Sequence, residues 1–121
     1  MAEGWAKQLR DSDFDAWSAG IETHGLNELA VAAMAEAGVD ISRHESTLVD
    51  DLVPVEFDLV VTVCDNARES CPIFPGRVRV IHHSFDDPPR LAAKAVDREE
   101  KLVHFRRVRD EIRTFVTSLT P

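Results

Sequence analysis

Leu59 to Val63 is an unbroken apolar and β-branched run, LVVTV, the pattern of a strand covered on both faces. It stops at Cys64. Six small or polar residues follow, DNARES, and then Cys71 and Pro72. These are the only two cysteines in the sequence, and both stand at the mouth of its most hydrophobic strand. A strand buried on two faces needs helices above and below it, so this run constrains the fold more than any other stretch.

The remaining segments supply those helices. Ala2 to Arg10 reads as helix, with Trp5 and Leu9 on one face at i, i+4 spacing. Phe14 to Gly20 (FDAWSAG) reads as a short strand. Asn27 is a helix N-cap candidate for an alanine-rich helix over Glu28 to Ala37, with Gly38 as its C′ residue. Glu45 to Leu52 can form a short helix before Pro54, and Asp65 to Ser70 a helical turn. Val78 to Ile81 is a further strand. Ser84 to Arg90 (SFDDPPR) reads as loop, because tandem prolines oppose regular helix and Asp87 before Pro88 is pushed to extended backbone. The chain closes with an amphipathic helix over Glu99 to Leu119, whose apolar stripe is Leu102, Phe105, Val108, Ile112, Phe115, Val116 and Leu119. Its arginines 106, 107, 109 and 113 read as a solvated face. Strands alternating with helices predict an α/β fold, an open parallel sheet flanked by helices, formed as a single domain over residues 1–121.

In such sheets ligands sit beyond the carboxyl ends of the strands. Ser18, Cys64 and the Asp86–Asp87 loop all follow strand ends and can share one rim. Composition narrows what the rim can bind. A net charge of −8 argues against nonspecific nucleic-acid or anionic-membrane binding, since both need a basic surface. No apolar run approaches the ~20 residues of a membrane span, and MAEGWAKQLR has no signal-peptide core. Two cysteines without secretory features point to a reducing, cytoplasmic setting.

Cys64, at a strand end before a helical turn, is placed where backbone N–H groups favour the thiolate; a buried, inert thiol is the competing reading. On a continuous helix Cys64 and Cys71 would lie ~10.5 Å apart, whereas a disulfide needs less than about 7 Å. The pair can therefore stay as separate thiols and bridge only if the turn between them unwinds. A redox switch fits this better than a permanent disulfide. Two cysteines seven apart are a weak zinc signal, and His24, His44, His82 and His83 show no metal-ligand spacing, so no metal is expected. Asp87 is a candidate general acid, with Asp86 beside it and prolines fixing its backbone; DDPP as a simple turn is the alternative.

SAGIETHG (18–25), VVTVC (60–64) with Cys71-Pro72, FDDP (85–88) and FRRVRDEI (105–112) together resemble the thioredoxin-coupled arsenate reductases, which share the low-molecular-weight protein tyrosine phosphatase fold. The resemblance runs the length of the chain. It implies arsenate as substrate, thioredoxin as external reductant, no bound cofactor and a monomer. It also implies Asp87 as the acid that protonates the departing hydroxyl, and Cys64 and Cys71 as the relay that carries oxidising equivalents away. A phosphatase of the same fold would not need the cysteine pair and usually carries tyrosines after Asp-Pro, whereas this sequence has no tyrosine. That phosphatase, or a non-catalytic remnant of the fold, is the alternative function.

The resemblance also implies a first strand and a Cys-x5-Arg anion loop ahead of a helix that begins like Met1–Trp5. The 121 residues are expected to lack both. Ser70 stands six after Cys64, and Arg77 stands six after Cys71 in CPIFPGR, where prolines remove the free amides an anion loop needs. The missing strand would sit between 14–18 and 59–63, so these residues alone are expected to be marginally stable or unfolded, or to need an upstream segment. Thr47 stands where family members tend to have an acidic residue, which weakens a cation site found in some of them.

Overall fold

The terminal helix is the element onto which the others pack. In the computed structural model, which describes residues 1–20, 27–44, 47–52, 55–63 and 78–119, the helices are α1 (Ala2–Leu9), α2 (Glu28–Glu36), α3 (Pro88–Ala92) and α4 (Arg98–Ser118). Leu102, Phe105, Val108, Ile112 and Val116 recur every three or four residues along α4 and are all buried, as the 3.6-residue period requires. Asp97 caps the helix by accepting from Glu100 N–H at 2.8 Å, and Glu100 reaches back to Val96 N–H at 3.0 Å. At the other end Arg10 donates to the carbonyls of Val116 and Thr117 at 3.2 and 3.0 Å, supplying the cation that the last turn of α4 lacks.

α2 forms between the two signals read from the sequence. Asn27 Oδ1 accepts from Leu29 and Ala30 N–H, and the helix ends at Gly38 with φ +84°. Gly38 N–H to Ala35 O and Val39 N–H to Met34 O complete a Schellman closure that folds Val39 into the core. α1 lies so close to this turn that a Cβ on Gly4 would come within 2.7 Å of Ile41 Cγ2. Trp5 is buried there, with its indole N–H bonded to Arg109 O at 3.0 Å. One core cluster joins Trp5, Met34, Val39 and Ile41 to Val108, Ile112 and Val116. A second joins Ala33 and Ala92 to Leu102 and Phe105.

Of the α4 arginines read as a solvated face, Arg107 and Arg113 are exposed and Arg106 and Arg109 half-buried, and all four have partners in the fold. Arg106 grips both oxygens of Glu36 at 2.7 and 2.8 Å, and Arg109 donates to Ala33 O at 2.8 Å, so together they tie α4 to α2. Arg113 lies over the Trp5 ring, and Arg107 reaches Asp86. The Arg106 hydrogen bonds hold the Glu36 carboxyl below its ordinary value of 4.5. A depressed carboxylate stabilises the fold fully above its unfolded pKa and loses that contribution as pH falls through the folded value. Glu36→Gln is therefore expected to flatten the acid side of the Tm–pH curve below about pH 4.5 and to leave its shape near neutrality unchanged, as thermal melts across that range would show.

Tandem prolines open a helix here instead of excluding one. Pro88 and Pro89 occupy the first positions of α3, where their missing N–H groups would have had no intrahelical partner. The described sheet is a parallel pair, β1 (Leu59–Thr62) and β2 (Arg79–His82), in the register Leu59↔Arg79 to Thr62↔His82. Residues 14–19 run without strand pairing, and only Gly20 bridges, to Leu48. Within 45–52, the described residues form a 3-10 turn, Val49–Leu52, in place of the expected helix; 45 and 46 lie outside them.

Candidate functional site

Among the described residues β1 has one edge paired, to β2, and no strand on the other. Arg79 N–H bonds Asp58 O and His83 N–H bonds Thr62 O, so Asp58, Val60 and Thr62 direct their backbone groups toward β2. By alternation Leu59 and Val61 direct theirs the other way. On that side lies an apolar groove of about 270 Å³, walled by residues 14–20 on one flank and 59–63 on the other. Gly20 exchanges both backbone bonds with the 47–49 segment, N–H to Thr47 O and O from Val49 N–H, both 2.9 Å. The groove therefore lies between two extended segments, in the position where the resemblance expects a further strand. Leu59, Val60 and Val61 line it and keep partial exposure; of the four β1 residues only Thr62 is fully buried, so the expectation of a strand covered throughout is not met.

Ser18 sits on the rim of this groove with Glu3. Ser18 Oγ donates to Glu3 Oε2 at 2.9 Å, and the same carboxylate meets His44 Nδ1 at 3.2 Å and Lys7 Nζ at 3.3 Å. Glu3 thus joins α1, the 14–20 segment and the turn after α2 at one point. Its i, i+4 pairing with Lys7 is visible in sequence, but nothing there links it to Ser18 or His44.

The loop after β2 turns back along the end of β1. Phe85 N–H donates to Val63 O at 3.0 Å, which brings residues 83–85 beside the last described residue before Cys64. Cys64 and Cys71 themselves, with the turn between them, lie outside the described residues. Asp87 follows at φ −84° and ψ 108°, the extended backbone expected before proline. It is exposed, and its carboxylate makes no capping hydrogen bond to α3, while its carbonyl accepts Leu91 N–H at 3.1 Å. Asp86 is paired with Arg107 at 2.9 Å. Hydrogen bonds to Asp86 and Glu111 hold the Arg107 guanidinium above its ordinary pKa. Of the two adjacent aspartates, Asp86 is ion-paired and Asp87 is exposed with no capping bond from its carboxylate.

Thr62 and His82, opposite each other in the register, share a hydrogen bond of 2.7 Å at the same end of the sheet. Among the described residues no group of three His, Cys, Asp or Glu side chains could hold a metal ion, and no helix is long and apolar enough to cross a membrane. The structure sets Ser18 in the groove beside β1 and brings the loop that leads to Asp86 and Asp87 against Val63 at the end of β1. Arg107 is the site-loop contact that sequence reading missed, because its partner is 21 residues away and only Glu111, four residues on, is local.

The sequence profile described as "Low molecular weight phosphotyrosine protein phosphatase" matches residues 1–120. A protein of Bacillus subtilis named "Arsenate reductase" is 49% identical over 112 residues, covering 93% of this chain and 78% of that protein. "Arsenate reductase 2" of Staphylococcus epidermidis is 45% identical over 118 residues, covering 98% of this chain and 83% of that protein. A solved structure titled "An arsenate reductase in oxidized state" superposes with a TM-score of 0.76 at 26% identity, over 98% of this chain and 83% of that one.

Proposed function

Because the chain belongs to the low molecular weight phosphotyrosine protein phosphatase family, we propose that it serves the arsenate-reducing branch, converting arsenate to arsenite through a cysteine relay. The observation that carries this reading is the cysteine pair. A sequence close to proteins named arsenate reductases also holds Cys64, directly after Val63 in the sequence, and Cys71-Pro72 seven residues on, and phosphoester hydrolysis has no use for that pair.

The relay balances as follows. A loop cysteine attacks arsenic(V), and the departing hydroxyl leaves as water with a proton from Asp87. The Cys64 thiolate then attacks the arsenic-bound sulfur. The S–As bond breaks, its electron pair stays on arsenic, and arsenite leaves as arsenic(III) while a disulfide joins the loop cysteine to Cys64. Cys71 attacks Cys64, frees the loop thiolate and leaves Cys64–Cys71 oxidised. Thioredoxin supplies two thiols that reduce this disulfide, which suits a cytoplasmic protein whose thiols start reduced. The 121 residues hold a Cys-x5-Arg spacing only at Cys71–Arg77, where Pro72 and Pro75 remove amides. The first attack therefore falls to a cysteine they do not contain, and alone they are expected to turn over no arsenate.

Asp87 tests the reading. In an enzyme joining the Cys-x5-Arg loop to these residues, Asp87→Asn is expected to lower kcat for arsenate by about 10²- to 10⁴-fold, the range for loss of a positioned acid. An unchanged kcat would remove Asp87 from the mechanism.

A further inference from the structure

Asp86 and Asp87 are chemically identical neighbours that the structure treats differently, and the difference originates on α4. Upstream of them, Phe85 is held twice: its N–H bonds Val63 O at 3.0 Å, and its ring stacks on His83 at 4.4 Å and meets Phe115 edge-on at 5.7 Å. Downstream, Pro88 is buried at the start of α3 and restricts the backbone of Asp87. Between these anchors the backbone of Asp86 helps set where Asp87 presents its side chain. Arg107 closes that gap, with Nη2 on Asp86 Oδ2 at 2.9 Å and Nη1 on Glu111 Oε1 at 2.8 Å.

We propose that Arg107 is a positioning residue for Asp87: by clasping Asp86 against α4 it fixes the acid loop and leaves the second carboxylate available to substrate. This rests on the reading of Asp87 as the proton donor. The planar guanidinium suits the task, since its two ends engage carboxylates on opposite sides while Glu111, one turn along the same helix, holds it in orientation. Lysine would offer a single point charge and fix the loop less well. The side chains of Arg107 and Asp86 are 44% and 62% exposed, so the clasp is screened by salt and its effect is modest.

Amide hydrogen exchange on this chain tests the proposal without any need for turnover. The Leu91 N–H, bonded to Asp87 O, reports on the loop, and the Phe85 N–H, with its own anchors, is the internal reference. Arg107→Gln and Asp86→Asn are each expected to speed Leu91 exchange about two- to fivefold relative to Phe85, the range for loss of an exposed ion pair. The double variant should go no further than either single one, and Arg107→Lys should recover part of the protection. In the loop-bearing enzyme the same variants should lower kcat by a similar factor with KM unchanged. Leu91 exchange that is unaltered in Arg107→Gln, or that rises equally with Phe85, overturns the clasp. An undiminished kcat in Asp87→Asn, by contrast, faults the acid assignment and not the clasp.

Discussion

Cys71→Ser is expected to confine arsenate reduction to a single turnover. In the loop-bearing enzyme this variant can still run the first two steps, because neither uses Cys71. Arsenite is then released once, and the enzyme stops with its loop cysteine joined to Cys64. A serine hydroxyl cannot open that disulfide at neutral pH, since exchange requires a thiolate. A quenched-flow assay should show a burst approaching one arsenite per enzyme, followed by loss of thioredoxin-driven cycling. Cys64→Ser should release little or no arsenite, because the thiol that the relay sets against the arsenic-bound sulfur is gone and Cys71 acts only after it. Sustained cycling in Cys71→Ser would contradict the relay and favour phosphatase chemistry, in which both cysteines are dispensable.

The second large effect is on stability. Phe105 is 1% exposed, at the centre of the cluster formed with Leu102, Ala33 and Ala92, where α4 meets α2 and α3. Its small neighbours Ala33 and Ala92 have no side-chain length with which to fill a void. Phe105→Ala is therefore expected near the upper part of the range for such truncations, about 3–5 kcal/mol. Domains of this size have a net stability of roughly 5–15 kcal/mol, and a chain expected to be marginal lies at or below the low end, so this one change removes most of it. The midpoint of thermal unfolding should fall by roughly 10–20 °C. Val103→Ala, on the opposite and largely exposed side of α4, is the control and should shift it little. A fall of only a few degrees for Phe105→Ala would mean that α4 is not the element holding the layers together.

What could be read from the sequence was local. The α4 stripe, the Asn27 cap and the Gly38 closure all depend on residues within a few positions of one another, and each forms as its pattern dictates. Pro88 and Pro89 were misleading because proline opposes a helix interior but suits its first turn, and sequence alone did not show on which side of the boundary they fell. The arginines of α4 carry no local sign of their partners. Arg109 finds Ala33, 76 residues away, and Arg106 finds Glu36, 70 away, only once α2 has docked. Glu3 meets Ser18 and His44 in the same way, through tertiary packing. Of the expected site residues, Cys64 and Cys71 lie outside the described residues, and Asp87 stands on extended backbone before Pro88 as its sequence context requires. Which of the two aspartates is engaged depended on a helix that arrives later in the chain.

The measurement that bears most directly on the account is the redox chemistry of the cysteine pair in this chain. Mild oxidation followed by peptide mapping should find a Cys64–Cys71 disulfide, two hydrogens lighter than the thiol form, and reduced thioredoxin should return it to two thiols. A disulfide holds its two Cα atoms within about 7 Å, so oxidation should lower the protease susceptibility of the Asp65–Ser70 segment it encloses. Two thiols that resist pairing, or a disulfide that thioredoxin leaves intact, would contradict the assignment of Cys64 and Cys71 as the relay.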